Sequence, residues 1–403
     1  MQRLSFTLYF NIRADGLKKA IKLLIKYKLI IFYILFFLLI DFSLHLLFGD
    51  RIFGESKTST NINYNDQFVH HDYIPNNSFI TYPSEQDSFD PVSNNINSFG
   101  IRGPELQKKK KYRVLNIGDS FVQADEVDFN KTFGQRLNEH FHNDIEFISH
   151  GMSSWSPTTI FSWIYHNGSA LSMDEVNLFL CVNDFYRKEV YDLSDEKYRE
   201  EAIYEDSIPV GYEHDENGRM NLIKKSAILT VFYRIIKIFK QSNINKSDEP
   251  NMISVPNEIK TLSKSYDEWP KALKENVDET LSVIKKIDIF LQSNNVSLNI
   301  LMVPLGFSWK DENVQGKRHS FYNWSSEFTV SQKGIERYLL EFIKEHSDIN
   351  YIDLREGFEN RKKKSNQLLY HEFDGHWNEH GHEVVFQTIK HYYQSSKHYK
   401  SVN

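Results

Sequence analysis

Short apolar runs alternate with stretches of helical period along two parts of this chain, and that order restricts the fold more than any other feature. Arg113–Ile117 reads RVLNI, Ile145–Ser149 reads IEFIS and Val176–Val182 reads VNLFLCV. Helices are predicted between them over Thr132–Phe141 and Thr158–Asn167. After about 85 less regular residues the pattern resumes: a helix over Trp269–Ser293, a strand over Val296–Pro304, a helix over Ile335–His346, a strand over Ile349–Leu354 and a last helix from near Asn378. Strands separated by helices imply right-handed crossovers and a mostly parallel sheet covered on both faces, an α/β fold. In such sheets sites form outside the carboxyl ends of the strands. Ser120, Gly151 and Asn183 each lie just past such an end.

The N-terminal part obeys a different rule. Leu29–Phe48 reads LIIFYILFFLLIDFSLHLLF, and twenty residues at helical rise reach about 30 Å, the thickness of a bilayer core. Residues 1–28 hold seven Lys/Arg against the single acid Asp15. A cleaved signal peptide is the rival reading, but the basic part is long and FGDRIFG offers no small-residue cleavage site. The expectation is an uncleaved transmembrane helix over 29–48, with residues 1–28 cytoplasmic and the rest extracytoplasmic (periplasmic in a Gram-negative cell). Residues 49–95 are rich in Asn, Ser, Asp, Tyr and Pro without period and read as a linker or an irregular wrap. The α/β domain is expected over 96–398 with an insertion at about 185–268. Within it Leu222–Lys240 reads as an amphipathic helix, packed on the domain or lying on a membrane or over the site as a lid.

Charge and cysteine narrow the function classes. The chain carries −6, and because residues 1–28 are +6 the remainder carries about −12, a poor match to nucleic-acid phosphates. The run Lys108–Lys111 reads as a solvated loop face. One cysteine, Cys181, excludes an intrachain disulfide.

The stretch VLNIGDSFVQADE, Val114–Glu126, sets a serine where a strand gives way to a turn. A serine hydroxyl is a weak nucleophile until a base takes its proton and donors stabilise the tetrahedral oxyanion. Asp374 and His376, in YHEFDGHWNEHGHEVV, fall in a loop before the last helix, close enough for the carboxylate to hold the imidazole. Gly151 can present an unshielded N–H, Asn183 can aim a side-chain amide, and Ser120's own N–H completes a three-donor oxyanion hole. Taken singly, Ser120 reads as a helix cap, Asp119 and Asp184 as turn and loop caps, Gly151 as a turn residue and Trp377 as packing.

GDSF at 118–121, Gly151, VND at 182–184 and DGHWN at 374–378 resemble, in order, the four blocks of the SGNH (GDSL-type) hydrolases. NSFGIRGPE, Asn97–Glu105, is similar to the corresponding stretch of membrane-anchored members. The resemblance covers roughly 95–185 and 268–395. It implies a flavodoxin-like three-layer α/β/α sandwich, Ser120 as nucleophile, His376 as general base and then acid, Asp374 orienting His376, and Ser120, Gly151 and Asn183 as oxyanion hole, with no cofactor and no metal. Here the acid precedes the histidine by two positions rather than three, and GDSF replaces GDSL. The Asp-x-His-Trp spacing looks like that of bacterial polysaccharide O-acetyltransferase relatives.

The expected function is therefore a serine esterase acting on O-acyl, above all O-acetyl, esters of a cell-envelope glycan or glycolipid. An O-acetyltransferase with the same triad is the alternative, and would take its donor from a membrane acyltransferase partner. Two further readings stand beside it. HWNEH, His376–His380, matches the H-x-x-E-H pattern of inverted zinc peptidases, with His371 and His382 enriching the cluster. A non-catalytic carbohydrate-binding scaffold on the same fold is the other.

Overall fold

The computed structural model describes residues 61–185, 191–214, 261–304 and 333–395, apart from short gaps inside these ranges, and helical residues within 27–43. Half of the expected membrane span, and the whole of Leu222–Lys240, lie outside the described residues. Among the described residues no helix is long and apolar enough to cross a membrane.

Five parallel strands form the sheet: β1 (Tyr112–Gly118), β2 (Ile145–Gly151), β3 (Glu175–Leu180), β4 (Ser297–Met302) and β5 (Ile349–Tyr351), in the order β5-β4-β3-β1-β2. This is the doubly wound order in which the chain reverses direction between β1 and β3. Every residue of β3 is buried, as helices on both faces demand.

The helices are α1 (Ser120–Gln123), α2 (Phe133–His140), α3 (Pro157–Leu171), α4 (Lys271–Ser293), α5 (Lys333–Glu345), α6 (Leu354–Lys364) and α7 (Glu379–Ser395). Alternate crossovers put α3 and α4 on one face and α2, α6 and α7 on the other, giving three layers. Phe161 on α3 meets Phe290 on α4, and Phe141 beside α2 meets Tyr393 on α7. The long α4 buries Leu273, Val277, Leu281, Ile284, Ile287 and Leu291, a stripe at spacings of three and four. Pro157 and the Ser156 side chain, which accepts from Thr159 N at 3.4 Å, start α3. The sequence reading extended β5 to Leu354; the strand ends at Tyr351 because Asp353 caps α6 by accepting from Arg355 N at 2.8 Å.

A row of amides crosses the whole sheet. Asn350 Nδ2 donates to Asn299 Oδ1 (3.1 Å), Asn299 Nδ2 to Asn177 Oδ1 (2.8 Å), Asn177 Nδ2 to Asn116 Oδ1 (2.8 Å) and Asn116 Nδ2 to Ser149 Oγ (3.0 Å). Each pair is also a register pair of adjacent strands. The Tyr393 hydroxyl on α7 joins it, within 3.2 Å of Asn177 Oδ1 and 2.9 Å of Glu175 Oε1, both acceptors.

Residues 61–103 are a wrap rather than a linker. Two short hairpins, Ile62–Asn63 with Asp72–Tyr73 and Ser78–Thr81 with Val92–Asn95, lie in this stretch, and Val69, Tyr73, Ile96 and Ile101 join the core. The 185–268 insertion contains two further hairpins, Tyr191–Leu193 with Glu196–Tyr198 and Glu200–Glu205 with Ile208–His214.

The amide row is open to a direct check. Asn177→Leu leaves Asn116 Oδ1 and one bond of Asn299 unmet in a dry interior. Urea denaturation is expected to show a loss of about 2–4 kcal/mol.

Candidate active site

Ser120 opens α1 immediately after β1. The turn is held by Asp119, whose Oδ1 accepts from Phe121 N at 3.0 Å, and closed by Ala124, in the left-handed region at φ 52°, whose N–H donates to Ser120 O at 3.1 Å. Arg102 ties down the chain beyond, donating to Ala124 O (2.6 Å) and Val127 O (2.7 Å).

From the far end of the chain His376 Nε2 reaches Ser120 Oγ at 2.7 Å, and its Nδ1 is hydrogen-bonded to Asp374 Oδ1. The same carboxylate oxygen accepts from His376 N at 3.0 Å, which explains how an acid two positions away can hold the ring. Asn378 shapes the loop: its Nδ2 donates to Leu368 O (3.0 Å) and Tyr370 O (3.1 Å), and its Oδ1 accepts from His380 N (2.9 Å) and Gly381 N (3.1 Å), capping α7. Trp377 is buried against Phe121, Phe133 and Phe358, in keeping with its reading as packing.

Gly151 pairs with Gly118 at the ends of β2 and β1. A Cβ at Gly151 would meet Asp119 O at 2.6 Å and Gly118 O at 2.9 Å, so the serine turn passes where a side chain would stand. Asn183 lies in a single 3-10 turn, Val182–Phe185, after β3. Asp184 caps that turn by accepting from Cys181 N at 2.7 Å.

Burial by itself lowers the His376 pKa, but the hydrogen bond and charge of Asp374, with the charges of Glu126 and Asp119, outweigh it and raise the ring to about 9. Burial by itself raises Asp374, and the bonds and charge of His376 overcome this and hold it well below the usual carboxylate range.

Donor atoms of Glu126, Asp374 and His376 lie within 4.8 Å of one another. Both His376 nitrogens are already engaged, by Asp374 and Ser120, so a cation would have to break one of those bonds. The zinc pattern also fails on geometry. His376 precedes α7, which starts at Glu379, and His382 is buried with its Nδ1 accepting from Phe133 N at 3.3 Å.

Three neighbours of the site had no motif to announce them. Asp87 accepts from Asp374 N at 3.1 Å, His71 Nε2 meets Ser153 O at 2.9 Å beyond Gly151, and Tyr73 donates to Asp125 at 2.5 Å. All three come from the wrap. Beside the histidine loop lies a cavity of about 340 Å³ lined by Asp87, Phe89, Glu126, Tyr370, His371 and Glu379, among others.

The fold and site define a three-layer α/β protein with a serine, a histidine and an aspartate hydrogen-bonded in series at the carboxyl rim of its sheet. No protein-family model and no curated protein matches the chain. Similar solved structures include a member of the lipolytic protein G-D-S-L family from Veillonella parvula, 11% identical over 71% of this chain and 100% of that one, TM-score 0.37. An acetyl xylan esterase is 12% identical over 70% and 98%, TM-score 0.38. An acetylxylan esterase from Geobacillus stearothermophilus, in a catalytic mutant form, is 10% identical over 71% and 95%, TM-score 0.36. Likenesses this distant do not extend to activity.

The raised histidine has a consequence for stability. A ring held at about 9 when folded and about 6.5 when unfolded contributes stability that is complete below pH 6.5 and lost as the pH rises through about 9. Compared with His376→Gln, denaturation curves are expected to show an advantage on the order of 3 kcal/mol at about pH 6 that disappears by about pH 10.

Proposed function

We propose that this protein is a serine esterase that cleaves O-acyl esters through an acyl-serine intermediate. The observation that carries the reading is the unbroken bond series Asp374–His376–Ser120, joining residues 256 positions apart. Ser120 Oγ attacks the ester carbonyl as its proton passes to His376 Nε2. Asp374 keeps the ring oriented and stabilises the imidazolium. The N–H groups of Ser120 and Gly151 and the Asn183 side chain receive the oxyanion. On collapse His376 protonates the departing alkoxide, and water, deprotonated by the same ring, releases the acid and restores Ser120.

The substrate we propose is an O-acetylated glycan or glycolipid of the cell envelope. The cavity beside the histidine loop pairs the carboxylates of Asp87, Glu126 and Glu379 with the part-exposed ring of Phe89, groups suited to sugar hydroxyls and a sugar face. The setting is a membrane anchor over 29–48 with the domain outside the cytoplasm. In support, Phe36, Phe37, Leu38, Leu39 and Phe42 are exposed on the described helical residues 36–43.

Turnover of p-nitrophenyl acetate is expected to fall by about three orders of magnitude or more in Ser120→Ala and to survive EDTA. A fluorophosphonate is expected to label Ser120 and no other residue by mass spectrometry. Activity that persists in Ser120→Ala and is lost to EDTA would overturn the reading. Incubation with acetylated and deacetylated envelope glycan, followed by NMR, separates acetate release by an esterase from acetate gain by a transferase.

A further inference from the structure

Glu126 closes the stretch that carries Ser120, six positions after it. Its carboxylate lies within 4.8 Å of donor atoms of both His376 and Asp374 and lines the cavity beside them. Yet it makes no hydrogen bond to another residue among the described residues, whereas Asp374 bonds the ring and Asp119 bonds the Phe121 N–H. A half-buried carboxylate without a structural bond, held beside a catalytic imidazole, has the field of its charge to offer.

We propose that Glu126 is a positioning residue whose negative charge stabilises the His376 imidazolium and so sets the pH at which Ser120 can be activated. This rests on the esterase reading above. The groups that face the ring are Asp374 from its own loop, Asp119 and Glu126 from either side of α1, His371 from the segment before the loop and His382 from α7. The three carboxylates favour the charged ring. His371 and His382 are both shifted down, chiefly by burial, His382 to about 3, so burial works against a charge on either ring. The influence is mutual: burial raises the Glu126 carboxyl, helped by the charge of Asp374, and His376 is the strongest force against that rise. Of the three acids Glu126 alone can lose its charge without breaking a bond, because Asp119 caps α1 and Asp374 holds the ring. Asp374 orients the imidazole and holds its proton most strongly; Glu126 adds to that hold through its charge alone.

Glu126→Gln keeps shape and removes charge. The acid limb of the kcat/KM profile for p-nitrophenyl acetate is expected to move down by about one pH unit, making the variant about tenfold faster than the native chain on the rising limb. On the alkaline plateau the variant is expected to be slower, because its base is weaker, so the two profiles cross. Glu126→Asp retains the charge and is expected to keep the limb within about 0.3 unit of the native position, which separates charge from packing.

A second readout needs no activity. The imidazole ¹⁵N titration of His376, assigned by difference against His376→Gln in the Ser120→Ala chain, is expected to fall by the same unit in Glu126→Gln. A limb and a titration that both stay put in Glu126→Gln, or an equal shift in Glu126→Asp, would overturn the proposal. Loss of all Ser120-dependent turnover would instead sink the esterase reading, and the titration would still decide the role of Glu126.

Discussion

Everything at the rim depends on the register of the five strands, and the amide row fixes that register. In a sheet covered on both faces, apolar side chains point both ways, so hydrophobic burial resists a slip of one residue only weakly. Asn350, Asn299, Asn177, Asn116 and Ser149 remove that freedom. A slipped strand would strand buried amides, each costing about 1–3 kcal/mol. With the row formed, Gly118 faces Gly151, and the serine turn, the Gly151 backbone and the turn bearing Asn183 all leave from the same edge.

The rim is charged in one sense. Asp119, Glu126 and Asp374 surround a single imidazole, and Asp87 holds the loop backbone from outside. Burial opposes the charges of Asp119, Glu126 and Asp374, and His376 supplies their counter-charge. A site built this way stores its basicity in the histidine and leaves the serine neutral at rest.

The wrap completes the site. Residues before the first strand of the sheet reach three segments around the site: His71 the loop after Gly151, Tyr73 the chain after α1, and Asp87 the histidine loop. Its buried core residues tie that bracing to the rest of the domain.

The sequence by itself determined the alternation of strands and helices, and with it the class of fold and the edge at which a site would form. It also determined the identities at the rim, because Ser120, Asp374 and His376 stand next to element ends that local pattern exposes. Asp119 and Asp184 as caps and Trp377 as packing were legible for the same reason. The wrap was read only as far as its lack of period allowed, since its contacts run to residues tens to hundreds of positions away. Glu126 carried no motif: a carboxylate after a turn is commonplace until the far end of the chain brings an imidazole within 4.8 Å of it. The amide row was invisible because asparagines inside separate apolar runs show no relation until the strands pair. Local chemistry writes itself into neighbouring residues; register, enclosure and the field at the histidine arise from groups that meet only when the chain closes on itself.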